Sequence, residues 1–411
     1  MNSKTDSLFI KLFCFLGPIG SLIPIVSIKA FRFYYFIVIL GIIYFFMNFN
    51  KNKQAIKTIM YSYPIILLIM ISSLLAYLDI TSDIEAENPV IRALLLISLF
   101  IFTVFIGNKI KYLTDNEKFR YIFLYLSGYL VSLFFGYIFF VGYYTNIISL
   151  NFISTFQVLT QMGYGLLRFS PGSYPNEYGI VSSYVLSLIT LLILRKNQIK
   201  ISSIYINKKF LLILYLFVLV ALFLTTTRAA YLSYIFVIIY LCILKGDILS
   251  KLKRILVIVI GFLVLGFIVQ VYFFDIYEIF QMAYNSFSDK DASAYERFFA
   301  WEVAYEKFLD NYLWGVGFGT LSNIHNLYLQ IVFEFGIIGT TFIGIYLLVI
   351  IYKLIYLLKN HKNDFFYDMS IIGLIHILWF AMSNHNLNHH LTWFVIFTIY
   401  MLNSNLLKNK F

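Results

Sequence analysis

The apolar residues of this chain come in unbroken blocks, such as 61–78, 121–141 and 256–274. Blocks of about 18 to 25 residues cross a hydrocarbon layer of ~30 Å at 1.5 Å rise per residue. Hydrocarbon offers the backbone no partners, so each block must meet its own N–H and C=O groups as a helix. Charged residues are 12% of the 411, roughly half of what a soluble domain carries. The chain therefore reads as an all-α polytopic membrane protein, 1–411 forming a single transmembrane domain. Helices are predicted over 8–27, 33–49, 58–78, 90–107, 120–141, 178–194, 209–225, 229–244, 254–274, 326–352, 366–383 and 390–406, about twelve in all. The 44 Phe and 34 Tyr suit interfacial belts. An AT-rich genome enriches the same residues, so no function follows from them.

The formal charge of +11 raises the question of a polyanion partner, and its distribution answers it. About 23 of the 31 Lys and Arg fall near the termini and in every second connector, which places those segments on one side. The alternate connectors are poor in basic residues, and 275–325 is net acidic. That is the positive-inside pattern of an even number of spans with both termini cytoplasmic, not a nucleic-acid groove. The connector with Lys29 and Arg32 is the one poor fit. Cys14 and Cys242 lie alone in apolar surroundings and supply neither a disulfide framework nor a CxxC metal site. The N-terminal apolar stretch has no small-residue cleavage site and is expected to remain as a span.

Two connectors on the basic-poor, non-cytoplasmic side, 142–177 and 275–325, are longer than a helix hairpin needs, and long connections are often functional. Within the second, residues 292–310 interleave Tyr295, Phe298, Phe299, Trp301, Tyr305 and Phe308 with Glu296, Arg297, Glu302, Glu306 and Lys307. This pattern predicts an amphipathic helix lying along the outer interface.

Candidate chemistry gathers on that side. Gly315, Gly317 and Gly319 allow a tight backbone just outside the bilayer. His325 then opens a helix, where an imidazole titrating near neutral pH suits a general base; a neutral interfacial histidine bonded to water is the plainer reading. Arg168, Arg228 (after three threonines) and Arg297 hold guanidinium groups at the hydrocarbon edge. That costs several kcal/mol unless snorkelling or an anion offsets it. A lipid diphosphate headgroup is one such anion, since the guanidinium fork meets phosphate oxygens bidentately; snorkelling to ordinary lipid phosphates is the alternative. Asn176, Glu177, Asn326 and Glu334 are candidate substrate-lining residues. His385 and His389 have an i,i+4 spacing, but no acidic or thiol ligand is near, and a polar lining is preferred over a metal site.

At His325-Asn326, followed after nine residues by Gly336-Ile337-Ile338-Gly339-Thr340, the sequence resembles the O-antigen ligases and many O-antigen polymerases. The Gly315–Gly319 segment, the Arg297–Trp301 stretch and the Thr-Thr-Arg228 turn resemble the same superfamily, best over about residues 165–345. The resemblance implies a metal-independent glycosyltransferase of the bacterial inner membrane, without cofactor, acting at the periplasmic face on an undecaprenyl-diphosphate-linked oligosaccharide. It implies that Arg228 and Arg297, with Arg168, hold the donor pyrophosphate and that His325 activates the acceptor hydroxyl. Membrane lipids and a chain-length regulator protein are the implied partners.

Arg168 and Gly179, ten residues apart, resemble an arginine–glycine motif of polymerase outer loops, although Arg297 has no glycine at the matching distance. The divergence of the sequence and the size of the polymerase group also favour a polymerase. The alternative is a ligase that transfers the polymer to lipid A-core. A lipid-linked oligosaccharide flippase is a further alternative; it is expected to bury ionisable residues mid-helix, whereas here they are read at the outer ends.

Overall fold

The computed structural model describes residues 4–20, 32–48, 52–79, 88–110, 113–156, 158–161, 167–195, 207–243, 292–321, 324–360, 365–384 and 387–402, together with Leu256 and Ile260. The predicted helix 254–274, apart from Leu256 and Ile260, and residues 275–291 of the second long connector lie outside the described residues.

The described helices are α1 (Lys4–Ile19), α2 (Phe33–Met47), α3 (Lys53–Tyr61), α4 (Tyr63–Asp79), α5 (Pro89–Ile110), α6 (Asp115–Tyr144), α7 (Leu150–Thr155), α8 (Pro175–Leu194), α9 (Lys208–Leu224), α10 (Arg228–Ile243), α11 (Ala292–Asp310), α12 (Leu327–Asn360), α13 (Phe365–Ser383) and α14 (His390–Ile399). Five of them are long and apolar enough to cross a membrane, or six if the α3–α4 pair is one span. Four more, within α2, α9, α10 and α14, are apolar but shorter. The chain is a helical, multi-pass membrane protein.

Local chemistry sets the helix ends. Thr114 and Glu117 form a reciprocal capping box at the start of α6, satisfying amide groups that have no partner within the helix. The sequence predicts one helix over 58–78; instead α3 and α4 meet at a 56° bend after Tyr61. Pro64 cannot donate to the carbonyl four residues back, and Ile65 N and Ile66 N both turn to Ser62 O, each at 3.1 Å.

The connector after α6 is not structureless. It holds α7 and a short antiparallel hairpin, β1 (Leu159–Gln161) and β2 (Leu167–Phe169), with Thr160 opposite Arg168. The hairpin is a small departure from the expected all-α chain, and it is what aims Arg168.

α8 is the central helix, buried along nearly its whole length. It packs on α9, α10 and α13, while α1 packs on α2 and α6, and α5 on α2 and α4. At one end of this bundle Asp6 pairs with Lys109 at 3.4 Å, Phe119 packs on Phe365, and Arg195 pairs with Asp368, which also accepts from Tyr240 at 3.1 Å. At the opposite end stand Arg32, Arg92, Arg168, Glu177 and the start of α14.

Candidate functional site

Thr225, Thr226 and Thr227 end α9 and start α10 by local hydrogen bonding. Thr225 Oγ1 donates to Leu222 O at 2.7 Å and accepts from Thr227 N at 3.3 Å. Thr226 takes a left-handed φ of 50°, uncommon for a β-branched residue. The turn delivers Arg228 as the first residue of α10.

Arg168 holds that turn from the hairpin side. Its Nε donates to Thr225 O at 2.7 Å, and one terminal nitrogen donates to Thr227 Oγ1 at 2.8 Å and Asn176 Oδ1 at 3.1 Å. Gly179 holds it from the α8 side: a Cβ there would stand 2.7 Å from Thr227 Cβ. The ten-residue spacing of Arg168 and Gly179 thus has a physical reason, because both grip one turn. Burial pushes the Arg168 guanidinium down to about 10; Tyr231 opposes this, and Arg228 and Arg297 add to it. It stays charged at neutral pH.

His325 is held between two anchors and itself has a φ of 50°. Before it, Trp301 of α11 donates its indole N–H to Ile324 O at 2.7 Å. After it, Asn326 Oδ1 accepts from Tyr328 N and Leu329 N at 3.0 and 3.2 Å, capping α12. Asn326 is thereby placed as a helix cap. Partial burial lowers the His325 pKa below its ordinary 6.5, and the charge on Arg297 lowers it further. Arg168 responds to Arg228 and Arg297, and His325 to Arg297. Arg297 therefore acts on both Arg168 and His325.

The glycine segment lies behind His325. Gly315, Gly317 and Gly319 all have positive φ, and α12 breaks at Gly336 (φ 65°, ψ −174°), a conformation open essentially to glycine alone. The freed backbone groups on both segments pair with each other. Val316 N donates to Phe333 O, Gly317 N to Glu334 O, Ile337 N to Tyr312 O and Ile338 N to Leu313 O, all within 3.1 Å. Glu334 is buried and accepts from Leu321 N at 3.1 Å and Gln330 Nε2 at 2.9 Å. Arg92 donates to Gly319 O at 3.3 Å and lies over the Phe318 ring. Glu334 is placed as the clip for this loop.

Glu177 follows Asn176 in the first turn of α8, yet its carboxylate is directed elsewhere. It is ion-paired with Arg32, accepts from Ser173 Oγ at 2.6 Å, and lies 3.9 Å from His389 Nε2. His389 caps α14 through Nδ1, which accepts from Leu391 N at 3.3 Å; His385 lies outside the described residues. Sequence reasoning missed Arg32 and Arg92. A signal for Arg32 was there, as a cation on the side otherwise poor in basic residues.

No curated protein matches the chain. The family model described as O-Antigen ligase matches residues 210–344. The match takes in Arg228, Arg297, the glycine segment, His325 and Glu334, and leaves Arg168, Asn176 and Glu177 before it. Residues 210–344, about a third of the chain, are thus similar to the O-antigen ligase family, which supports the resemblance to the O-antigen polymerase and ligase superfamily.

Proposed function

We propose that the chain is the polymerase of O-antigen or a related surface polysaccharide. It would join undecaprenyl-diphosphate-linked oligosaccharide repeat units at the periplasmic face of the bacterial inner membrane. The observation that carries this reading is that Arg297 acts electrostatically on both His325 and Arg168, and Arg228 on Arg168, at helix ends whose connectors lack the basic clusters.

His325, neutral near pH 7, takes the proton of the acceptor hydroxyl. The hydroxyl oxygen bonds to the donor's anomeric carbon as the bond from that carbon to the diphosphate oxygen breaks, inverting the configuration. The diphosphate leaves as an anion and needs no general acid. Arg228 and Arg297 meet its growing charge, worth a few kcal/mol each in a water-poor site. Arg168 has committed its Nε and one terminal nitrogen to Thr225, Thr227 and Asn176, so we assign it to holding Arg228 in place as well as to the local field. His325 finally gives its proton to water.

The description of the matched family favours a second reading, a ligase that transfers finished polymer to lipid A-core. The Arg168–Gly179 grip on the Arg228 turn, outside the match, supports the polymerase. Deletion in the native host separates the two: loss of a polymerase leaves lipid A-core bearing one repeat unit, whereas loss of a ligase leaves bare core and polymer on the lipid carrier. Full-length glycan on core after deletion would overturn both.

A further inference from the structure

A line of buried rings runs from the Arg32–Glu177 pair into the middle of the bundle. His389 Nε2 is 3.9 Å from Glu177 Oε2. The ring centroids of His389 and His390 are 4.3 Å apart, those of His390 and Tyr125 6.0 Å, Tyr125 and Tyr184 6.2 Å, and Tyr184 and His376 5.7 Å. None of these five side chains is more than 4% exposed.

Four of the five carry unmet polar atoms. Among the described residues His389 Nε2, both ring nitrogens of His390, and the hydroxyls of Tyr125 and Tyr184 have no hydrogen-bond partner. Native interiors meet such groups with protein or with ordered water, because leaving them dry forfeits hydration without return. Tyr129 and Tyr234 are equally buried and do find partners, Ser182 at 2.7 Å and Tyr215 at 3.1 Å. Five of the eleven orphaned side-chain atoms among the described residues thus fall in four successive rings of one line.

The line ends on a satisfied group. His376, near the middle of α13, has Nδ1 3.0 Å from Ser233 Oγ and Nε2 3.0 Å from Ser187 Oγ. A serine hydroxyl donates or accepts by rotating, so either neutral tautomer is met without movement. Ser233 lies on α10 below Arg228, and Ser187 lies on α8 below Glu177, so the line passes beneath the arginine cluster.

We infer that this line is a hydrated column, in which ordered water bridges the orphaned atoms from Glu177 to Tyr184. It brings water from the Arg32–Glu177 pair to Tyr184, whose ring packs edge-on against His376. The ligand is water, and the column stands whether the reaction above is polymerisation, ligation or neither.

X-ray hydroxyl-radical footprinting of the full chain in lipid nanodiscs, in ¹⁸O-labelled water, tests this directly, because radicals formed from bound water label the side chains beside it. Tyr125 and Tyr184 are expected to be labelled on the order of ten-fold faster than Tyr234, as buried water requires. In His390→Leu, labelling of Tyr184 is expected to drop toward that of Tyr234, with exposed Tyr312 unchanged. Wild-type Tyr125 and Tyr184 labelled no faster than Tyr234 would overturn the column, as would unchanged Tyr184 labelling in a folded His390→Leu protein. The wild-type comparison decides the matter even if the variant does not fold.

Discussion

Arg32 and Glu177 form a buried ion pair across the N-terminal ends of α2 and α8, one residue from the Asn176 that binds Arg168. Both side chains are at least 87% buried (13% and 7% exposed), so removing one strands the other. Each single change, Arg32→Ala or Glu177→Ala, should cost about 3 kcal/mol, as for other broken buried pairs. The apolar double variant Arg32→Met/Glu177→Leu should lose much less than the sum of the singles. Thermal unfolding in detergent measures all three, and additive losses would mean the pair does not act as a unit.

The grip on the α9–α10 turn gives a second coupled pair. Arg168→Lys keeps the charge but not the fork that reaches Thr225, Thr227 and Asn176 at once. Gly179→Ala forces a methyl to 2.7 Å from Thr227, a kind of overpacking that costs about 1–3 kcal/mol. Either change shifts Arg228, so each should lower kcat for glycosyl transfer, and the double variant should be little worse than the weaker single. Multiplicative losses in a membrane-fraction polymerisation assay would show that the two residues do not share a task.

Arg228 and Arg297 are assigned to charge that grows as the diphosphate leaves. Arg228→Ala and Arg297→Ala should each lower kcat by about 10²-fold, the scale of losing one preorganised donor to a developing anion. Lysine at either position should restore only part, since a point charge cannot fork. A variant whose KM rises while kcat holds would show ground-state binding only.

The acid limb of the pH profile follows from His325. Burial and Arg297 both favour the neutral ring, so its pKa lies below 6.5 in the free enzyme. kcat/KM should therefore rise with pH, with a midpoint below 6.5, and be flat at neutrality. A bound diphosphate offsets Arg297 and should move the midpoint of kcat upward relative to that of kcat/KM. Arg297→Ala should raise the free-enzyme midpoint. The same depression makes the neutral ring's contribution to folding present above the unfolded pKa and lost as pH falls through the folded one. An acid limb unchanged in a residually active His325→Ala would exclude the histidine as base.

The helices were legible because hydrocarbon leaves the backbone no alternative. Every predicted range except 254–274, of which only Leu256 and Ile260 are described, overlaps an observed helix, and residues 292–310 form one helix as expected. The misreadings are at breaks, where geometry outweighs composition: Ser62 before Pro64, and Gly336 within α12. Arg168, Arg228, Arg297 and His325 stood out because a cation at the hydrocarbon edge needs a reason. The partners of Glu177 and Glu334 did not, because a carboxylate in an apolar sequence does not reveal which distant residue faces it. Arg32 is 145 positions from Glu177. His376 was also overlooked: a lone histidine in an apolar run carries no pattern, and its serines lie on α8 and α10. It qualifies the expectation that ionisable residues gather only at the outer ends.

Gly336 offers the sharpest separation of backbone need from helix propensity. Its φ of 65° with ψ near 180° excludes a side chain, and an added Cβ would stand 2.4 Å from Gly315 N, a backbone atom that cannot swing aside. Gly344, on the same helix, has nothing within 4 Å of its would-be Cβ. Gly344→Ala should therefore be neutral or stabilising by up to ~1 kcal/mol. Gly336→Ala should destabilise by at least ~2 kcal/mol from backbone conformation alone. Because the Gly315–Gly319 segment is pinned to that break and leads into His325, Gly336→Ala should also abolish transfer in whatever fraction remains folded. Unfolding midpoints and specific activity for the two variants, prepared side by side, check both parts. Equal tolerance at 336 and 344 would mean that α12 runs unbroken and that the loop does not depend on it.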